Sequence, residues 1–201
     1  MSFKDRFGDF PRIETRRLVL REVDPERDQE DQLAIWGAPE VVKWMPDKAQ
    51  TTLAQARGIL EFWRRCWYEG PWILAWAIGL KEHGERYIGG IRYIGFYGHE
   101  YRIGELGYEL HRQHWGRGYM TEALNAAVDF GFDRMGLNRV QVGMHPDNMA
   151  SRRVAEKAGF QAEGVLRDWV FDQKSGHWRD ERLFSILRRE RARQRGLPDE
   201  R

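Results

Sequence analysis

The stretch IGELGYELHRQHWGRGYM, residues 103–120, decides how the rest of the chain is read. Ile103 to His111 reads as a strand, along which Tyr108 alternates with Gly107 and Glu109. Gln113 to Gly118 is then a glycine-containing turn that leaves this strand and opens a helix. Leu124, Ala127, Val128, Gly131, Phe132 and Met135 follow at helical spacing as one buried stripe, and Gly136 ends it. Arg139 to Met144 is a second strand. A strand, a helix and a strand in this order imply a local parallel pair with a right-handed crossover.

Outward from this unit the chain reads as antiparallel. Ile13 to Glu22 is a first strand, ended by Asp24-Pro25, and Pro25 suits a helix start. Ala34, Ile35 and Trp36 belong to a short helix ending near Gly37, and the apolar stretch Val41 to Met45 stops at Pro46. Thr52 to Tyr68 is a stronger helix. Thr52 and Gln55 have capping-box spacing, and Leu53, Ala56, Leu60, Trp63 and Trp67 form one apolar face. Trp72 to Leu80 and Arg86 to Phe96 read as two strands joined through Lys81 to Glu85, with a polar turn at Gly98 to Arg102 leading to the strand from Ile103. After Met144, Asn148 or Ser151 caps a helix that runs to Ala158 and stops at Gly159. Gln161 to Phe171 and Trp178 to Leu187 are the last strands, turning around Lys174-Ser175-Gly176. The fold class is therefore α+β, in one domain spanning 1–201 with a core of about 13–188: a mixed, mostly antiparallel sheet with a central parallel pair, flanked by helices.

Composition bounds the function. The chain has 201 residues, 41% hydrophobic and 13% aromatic, enough for a core without disulfides or metals. A net charge of +2 gives no bulk basic field for nucleic acid, and the run Arg188, Arg189, Arg191, Arg193 and Arg195, interrupted by Glu190, reads as a solvated terminal helix. A single cysteine, Cys66, gives no internal bridge, and it reads as buried filler beside Trp63 and Trp67. Met1 to Pro11 lacks an apolar signal region, and no apolar run approaches the ~20 residues that span a bilayer. A cytoplasmic protein with no membrane partner is expected.

The chemistry sits in the turn. Backbone N–H groups of the turn and of the first helical turn have no intrahelical partners, and the helix dipole adds positive potential there, so a pyrophosphate fits. Gly116 and Gly118 let the backbone approach phosphate oxygens, and Arg117 can add a charge-assisted contact. The competing reading is a tight connection in which the glycines serve only the turn. No Gly-Lys-Ser/Thr follows, so this is not a Walker loop, and no third glycine stands where a dinucleotide fingerprint needs one.

Gln113-x-x-Gly116-x-Gly118 resembles the acetyl-CoA pyrophosphate loop of the GCN5-related N-acetyltransferase (GNAT) superfamily. Glu105-Leu106-Gly107-Tyr108-x-Leu110, Tyr119-x-Thr121-Glu122-Ala123, Asn148-x-x-Ser151 with Glu156-Lys157-x-Gly159-Phe160, and the opening Glu14-Thr15-x-Arg17-Leu18-x-Leu20-Arg21 resemble its ribosomal-protein (RimJ/RimL-like) branch. The likeness runs from about Ile13 to Arg188. It implies acetyl transfer from acetyl-CoA to a primary amine, first of all a protein or peptide N-terminus such as that of a ribosomal protein. The alternatives are a small-molecule amine or a non-catalytic acyl-CoA-binding module. The resemblance also implies a bulged strand at Glu109, Leu110 and His111 whose backbone binds the acetyl carbonyl and pantetheine arm. It gives the pyrophosphate to Gln113, His114, Trp115, Gly116, Arg117 and Gly118, a cofactor-arm contact to Asn148, and a place among the cofactor-binding residues to Tyr119 and Ser151. Homodimers are common among such relatives.

Direct transfer needs a base for the amine, a polarised carbonyl and an acid for the thiolate. Glu105, on the strand whose backbone is expected to bind the acetyl group, is the candidate base, against a strand-end carboxylate in a surface ion pair. Ser151 is the candidate acid, against a helix-start hydroxyl that serves the backbone. Many GNAT members place a tyrosine seven residues after the Asn; Ala155 stands there, and the branch's serine keeps Ser151 open. Tyr108 reads as core or as an acceptor contact. His111, His114 and His145 lack metal-ligand spacing, so no metal is expected. Of the nine tryptophans, Trp36, Trp44, Trp63 and Trp67 fall on the acceptor side, mostly as core.

Overall fold

A computed structural model describes residues 2–70, 73–98, 100 and 102–198. The first strand expected from the sequence is two: β1 (Ile13–Glu14) and β2 (Leu18–Glu22) pair antiparallel across a tight turn. Thr15 makes the turn, its hydroxyl donating to the Leu18 carbonyl and accepting from the Leu18 amide. A helix that the sequence reading did not foresee, α1 (Phe3–Phe7), precedes them; Ser2 and Asp5 form its capping box, and Phe3 stacks on Trp67 with ring centroids 5.7 Å apart.

The short helix expected before Gly37 is a longer one, α2 (Pro25–Trp36). The Asp24 side chain accepts from the Glu26 and Arg27 amides at its start. Its middle shows little apolar periodicity because its buried face is polar: Asp28 takes two hydrogen bonds from Arg21, at 2.8 and 2.7 Å, and Gln32 accepts from the Tyr87 hydroxyl at 2.7 Å. Next come α3 (Pro39–Val42) and α4 (Leu53–Glu69). The capping box of Thr52 and Gln55 forms on α4 as expected. Ala56, Leu60, Trp63 and Trp67 are buried, whereas Leu53 at the helix start is exposed.

The meander is β3 (Leu74–Leu80), β4 (Arg86–Tyr97) and β5 (Ile103–Leu110). The expected strand start at Trp72 lies outside the described residues, as do His99 and Tyr101 of the turn after β4. Then follow α5 (Tyr119–Asp133), β6 (Arg139–Met144), α6 (Met149–Lys157), β7 (Gln161–Asp172), β8 (His177–Leu187) and α7 (Arg188–Gln194). Among the described residues the sheet has eight strands in the order β1-β2-β3-β4-β5-β6-β8-β7, and among them only β5 and β6 run parallel.

Helices cover both faces. On one face α5 packs Ala123, Leu124, Ala127 and Val128 against Trp76, Tyr93 and Leu106. On the other, Ile35, Leu60 and Trp63 of α2 and α4 meet Ala75, Ala77 and Tyr87. Every residue of β3 is buried, as a central strand covered on both sides requires. The terminal arginines do more than face water. The guanidinium of Arg191 pairs with Asp129 of α5 at 2.8 Å, and Arg195 pairs with Asp133 at 2.8 Å, so α7 is docked by charge as well as solvated.

Candidate active site

The two parallel strands part company at Glu105. β5 pairs with β6 only from Ile103↔Arg139 to Glu105↔Gln141; beyond that β5 stays with β4, while Val142 to Met144 of β6 stay with β8. A wedge opens between them. The His111 amide donates to the Ile88 carbonyl at 2.8 Å, on the β4 side. Amides alternate along a strand, so Glu109 also faces β4, and Tyr108 and Leu110 face the wedge. The strand irregularity expected in β5 lies across from it instead, at Ile94 of β4, where the register slips between Tyr93 and Gly95. An extra residue there re-aims the β4–β5 ribbon.

A cleft of about 1190 Å³ fills the wedge. Glu105, Tyr108, Leu110, Asn148, Ser151 and Glu181 line it. Glu105 is buried and accepts from Gln141 Nε2 at 2.9 Å, so it is not a strand-end carboxylate in a surface ion pair. Asn148 caps α6, its Oδ1 accepting from the Ser151 amide at 3.1 Å. That bond leaves the Ser151 hydroxyl to Tyr108, with the two oxygens 2.9 Å apart. Tyr108 is neither pure core nor free: burial pushes its phenol up to about 12, and the bond to Ser151 pulls it down in part. A tyrosine thus reaches the α6 terminus from β5, although Ala155 stands where many family members carry one.

The loop closes the other end. A 3-10 turn at Arg112–His114 starts on the His111 ring, whose Nδ1 accepts from the Gln113 amide at 3.3 Å. Gly116 and Gly118 have φ of +73° and +77°, left-handed values that L side chains rarely adopt. Gly118 is the N-cap of α5 and offers no side-chain acceptor, so the first-turn amides keep their donors for a ligand. A Cβ at Gly116 would meet nothing within 4 Å, which leaves the backbone open to approach. Trp115 Nε1 donates to the Leu110 carbonyl at 2.7 Å and ties the loop to β5. Trp115, Gly116, Gly118 and Tyr119 line the cleft, as does His114, which burial and the neighbouring charges of His111 and Arg117 hold below its ordinary range. The side chains of His111, Gln113 and Arg117 do not line it. Glu109 does, but its carboxylate is bound to Arg92 at 2.6 Å.

Several residues escaped the sequence reading. Arg17 donates through Nη1 to the Arg117 carbonyl at 2.9 Å, pairs with Glu122 at 2.7 Å and lies 4.5 Å from the Tyr119 ring centre, so it braces the loop from the β1–β2 turn. Gln141 holds Glu105. Glu181 of β8 enters the cleft; burial first, then the charge of Glu105, push it up to about 7 against the pull of Arg179. The alternation Glu181, Leu183, Ser185 along β8 was the available signal. At the far end, the Trp44 and His145 rings meet at a tilt of 37° with centroids 4.8 Å apart. The loop carrying Trp44 is strapped by the β7–β8 turn: Lys174 Nζ donates to the Val42 carbonyl at 2.9 Å and to that of Met45, Arg179 to that of Trp44 at 2.7 Å, and the Gln173 amide to that of Pro46 at 2.9 Å. Cys66 is buried, as expected, and burial raises its thiol. Among the described residues no three His, Cys, Asp or Glu side chains gather as a metal-ligand set, and no helix is long and apolar enough to cross a membrane.

The cradle therefore fits a pyrophosphate with a thioester arm: open glycines, uncapped helix amides and wedge-facing strand amides share one cleft. Residues 17–161 match the family described as "Acetyltransferase (GNAT) domain". An uncharacterised N-acetyltransferase, p20, of Bacillus licheniformis is 34% identical over 178 residues, 89% of this chain and 97% of that one. Mycobacterium smegmatis RimJ, solved in complex with CoA-disulfide, superposes with a TM-score of 0.73 at 24% identity over 89% of each chain. A putative ribosomal-protein-serine acetyltransferase from Vibrio cholerae superposes with a TM-score of 0.74 at 22% identity over 88% of this chain and 97% of that one. This chain belongs to the GNAT acetyltransferase family and is an acetyl-CoA-dependent N-acetyltransferase.

Proposed function

We propose that the protein moves the acetyl group of acetyl-CoA to a primary amine by direct attack, and that the amine is the N-terminus of a protein or peptide. One observation carries the reading. The wedge beyond Glu105 brings a buried carboxylate, two outward-facing strand amides and a tyrosine–serine hydroxyl pair into the cleft that the glycine loop closes. The Vibrio cholerae and RimJ likenesses support it, the one by its named substrate and the other by its bound CoA-disulfide.

Acetyl-CoA supplies an activated thioester. The chain's residues do the rest. The uncapped amides after Gly118 and the backbone at Gly116 bind the pyrophosphate, and Arg17 steadies that loop. The Tyr108 and Leu110 amides hold the pantetheine arm and the carbonyl oxygen, where a donor also stabilises the oxyanion of the tetrahedral intermediate. Glu105 acts as base on the acceptor, directly or through a water. Ser151, hydrogen-bonded to Tyr108, gives the departing sulfur its proton, while Asn148 fixes the serine.

A second reading, a small-molecule amine, is favoured by the strap that Lys174 and Arg179 hold over the acceptor end, because small acceptors bind in enclosed pockets. Thiol release from acetyl-CoA, followed with N-terminal peptides and with small amines, separates the two. Release on peptides supports the first, and release on small amines alone moves the acceptor to the second. Binding without release on any amine overturns both.

A further inference from the structure

Four glutamates lie on one face of the sheet, on β5, β7 and β8, and they are not equivalent. Arg92 neutralises Glu109 at 2.6 Å and Arg139 neutralises Glu163 at 2.8 Å. Glu105 has neutral partners, the Gln141 amide at 2.9 Å and the Tyr97 phenol. Glu181 has no hydrogen-bond or ion-pair partner among the described residues, yet it sits in the cleft. Its seat is specific. A Cβ at Gly143 would lie 2.4 Å from the Glu181 carboxyl carbon, so only a glycine lets that carboxyl settle onto β6. Gln141 and Gly143 are successive residues on one face of β6. That strand therefore carries Glu105 on one and Glu181 on the next, at the mouth of the wedge. The charged and titratable groups that face Glu181 are Glu105 of β5, Tyr97 of β4 and Arg179 of its own strand. Arg179 is committed elsewhere, to the Trp44 carbonyl at 2.7 Å.

Two carboxyls that share a cleft, neither in a direct ion pair among the described residues and with Arg179 acting only at a distance, make a receptor for a cation. We propose that Glu105 and Glu181 together seat the ammonium group of the acceptor, and that the proton leaving that ammonium goes to Glu181. This rests on the acetyl-transfer reading above and divides its base role: Glu105 keeps the charge that holds the acceptor, and Glu181 takes the proton. Glu105 is already held by the Gln141 amide, whereas Glu181 has no hydrogen-bond donor among the described residues and is open to the ammonium's proton. Burial and the charge of Glu105 place Glu181 near 7, the range in which a base works best at neutral pH. The protons balance. The ammonium gives one to Glu181; the freed lone pair forms the N–C bond as the C–S bond breaks. The attacking nitrogen then loses a second proton, which replaces the one the sulfur takes from the Ser151–Tyr108 hydroxyls. A carboxyl pair of this kind binds ammonium-bearing acceptors and rejects anionic ones.

The test is the pH dependence of kcat/KM for the whole protein and for Glu181→Gln and Glu105→Gln, beside carbon-13 NMR titration of the glutamate carboxyls. The parent is expected to show an acidic limb near pH 7 and one carboxyl titrating there. Glu181→Gln is expected to lose that carboxyl, to move the limb towards the usual carboxylate range and to lower kcat/KM by about 100-fold, with acetyl-CoA affinity and melting temperature at pH 5 retained. Glu105→Gln is expected to move the near-7 titration downwards. A Glu181→Gln protein that keeps the parent's limb or the near-7 carboxyl overturns this proposal while leaving acetyl transfer intact. A parent that binds acetyl-CoA and acetylates no amine overturns the transfer reading and the proton step with it.

Discussion

At the residue scale, the cleft sorts look-alike side chains by their partners. Glu105 and Glu109 stand four residues apart on one strand, and only Glu105 is without a guanidinium. Glu105→Gln removes the charge that holds the acceptor and is accordingly expected to lower kcat/KM for the acceptor steeply, chiefly through a raised KM, with the acetyl-CoA dissociation constant unchanged by calorimetry. Tyr108 and Ser151 share one hydrogen bond, so their hydroxyls act as a unit. Tyr108→Phe and Ser151→Ala should each slow turnover, and the double variant should be less impaired than the product of the two, as steady-state rates in a double-mutant cycle will report. Glu181 also bears on stability. Its carboxyl is raised in the folded protein from the usual 4.5 to about 7, so the folded state holds a proton that the unfolded chain has released. That contribution is full below pH 4.5 and is lost as pH rises through 7. Melting curves of Glu181→Gln should therefore gain on the parent between pH 5 and pH 8.

At the element scale, the glycine loop and the α2 start make opposite use of a helix N-terminus. Asp24 caps α2 with its side chain, and Asp24→Ala should cost about 1 kcal/mol, a fall in melting temperature of roughly 2–4 °C for a chain of this size. Gly118 leaves α5 uncapped for a ligand. Gly118→Trp puts a bulky side chain at a left-handed position, costing about 1–2 kcal/mol in strain, and should abolish acetyl-CoA binding in a protein whose far-ultraviolet circular dichroism is unchanged. The loop and α5 were legible from sequence because spacing and glycines carry the local physics. α1 and the middle of α2 were not. α1 is held by Phe3 on Trp67, a contact with a residue far along the chain, and α2 buries Asp28 and Gln32 where an apolar stripe is the usual signal. β5 was legible as a strand, but the side of the wedge its amides face follows from pairing with β4, which no local pattern states.

At the scale of the whole molecule, the active cleft exists because two strands in the middle of one sheet are pulled apart by their outer neighbours, β4 and β8. Side chains that meet there come from β5, α6 and β8, far apart in sequence, which is why Glu105 and Ser151 could be nominated singly while Glu181, Gln141 and the Tyr108–Ser151 contact could not. The strap from the β7–β8 turn spans a still longer separation. Lys174→Ala should free the loop bearing Trp44 and raise KM for the acceptor several-fold while leaving acetyl-CoA affinity unchanged, a split that steady-state kinetics and calorimetry together resolve.

The most direct test of the cleft is calorimetric titration of the protein and of Gly118→Trp with acetyl-CoA. Saturable binding by the parent at one site per chain, lost in the folded variant, is the predicted result. A parent that binds nothing, or a variant that binds as the parent does, contradicts the placement of the donor in this wedge.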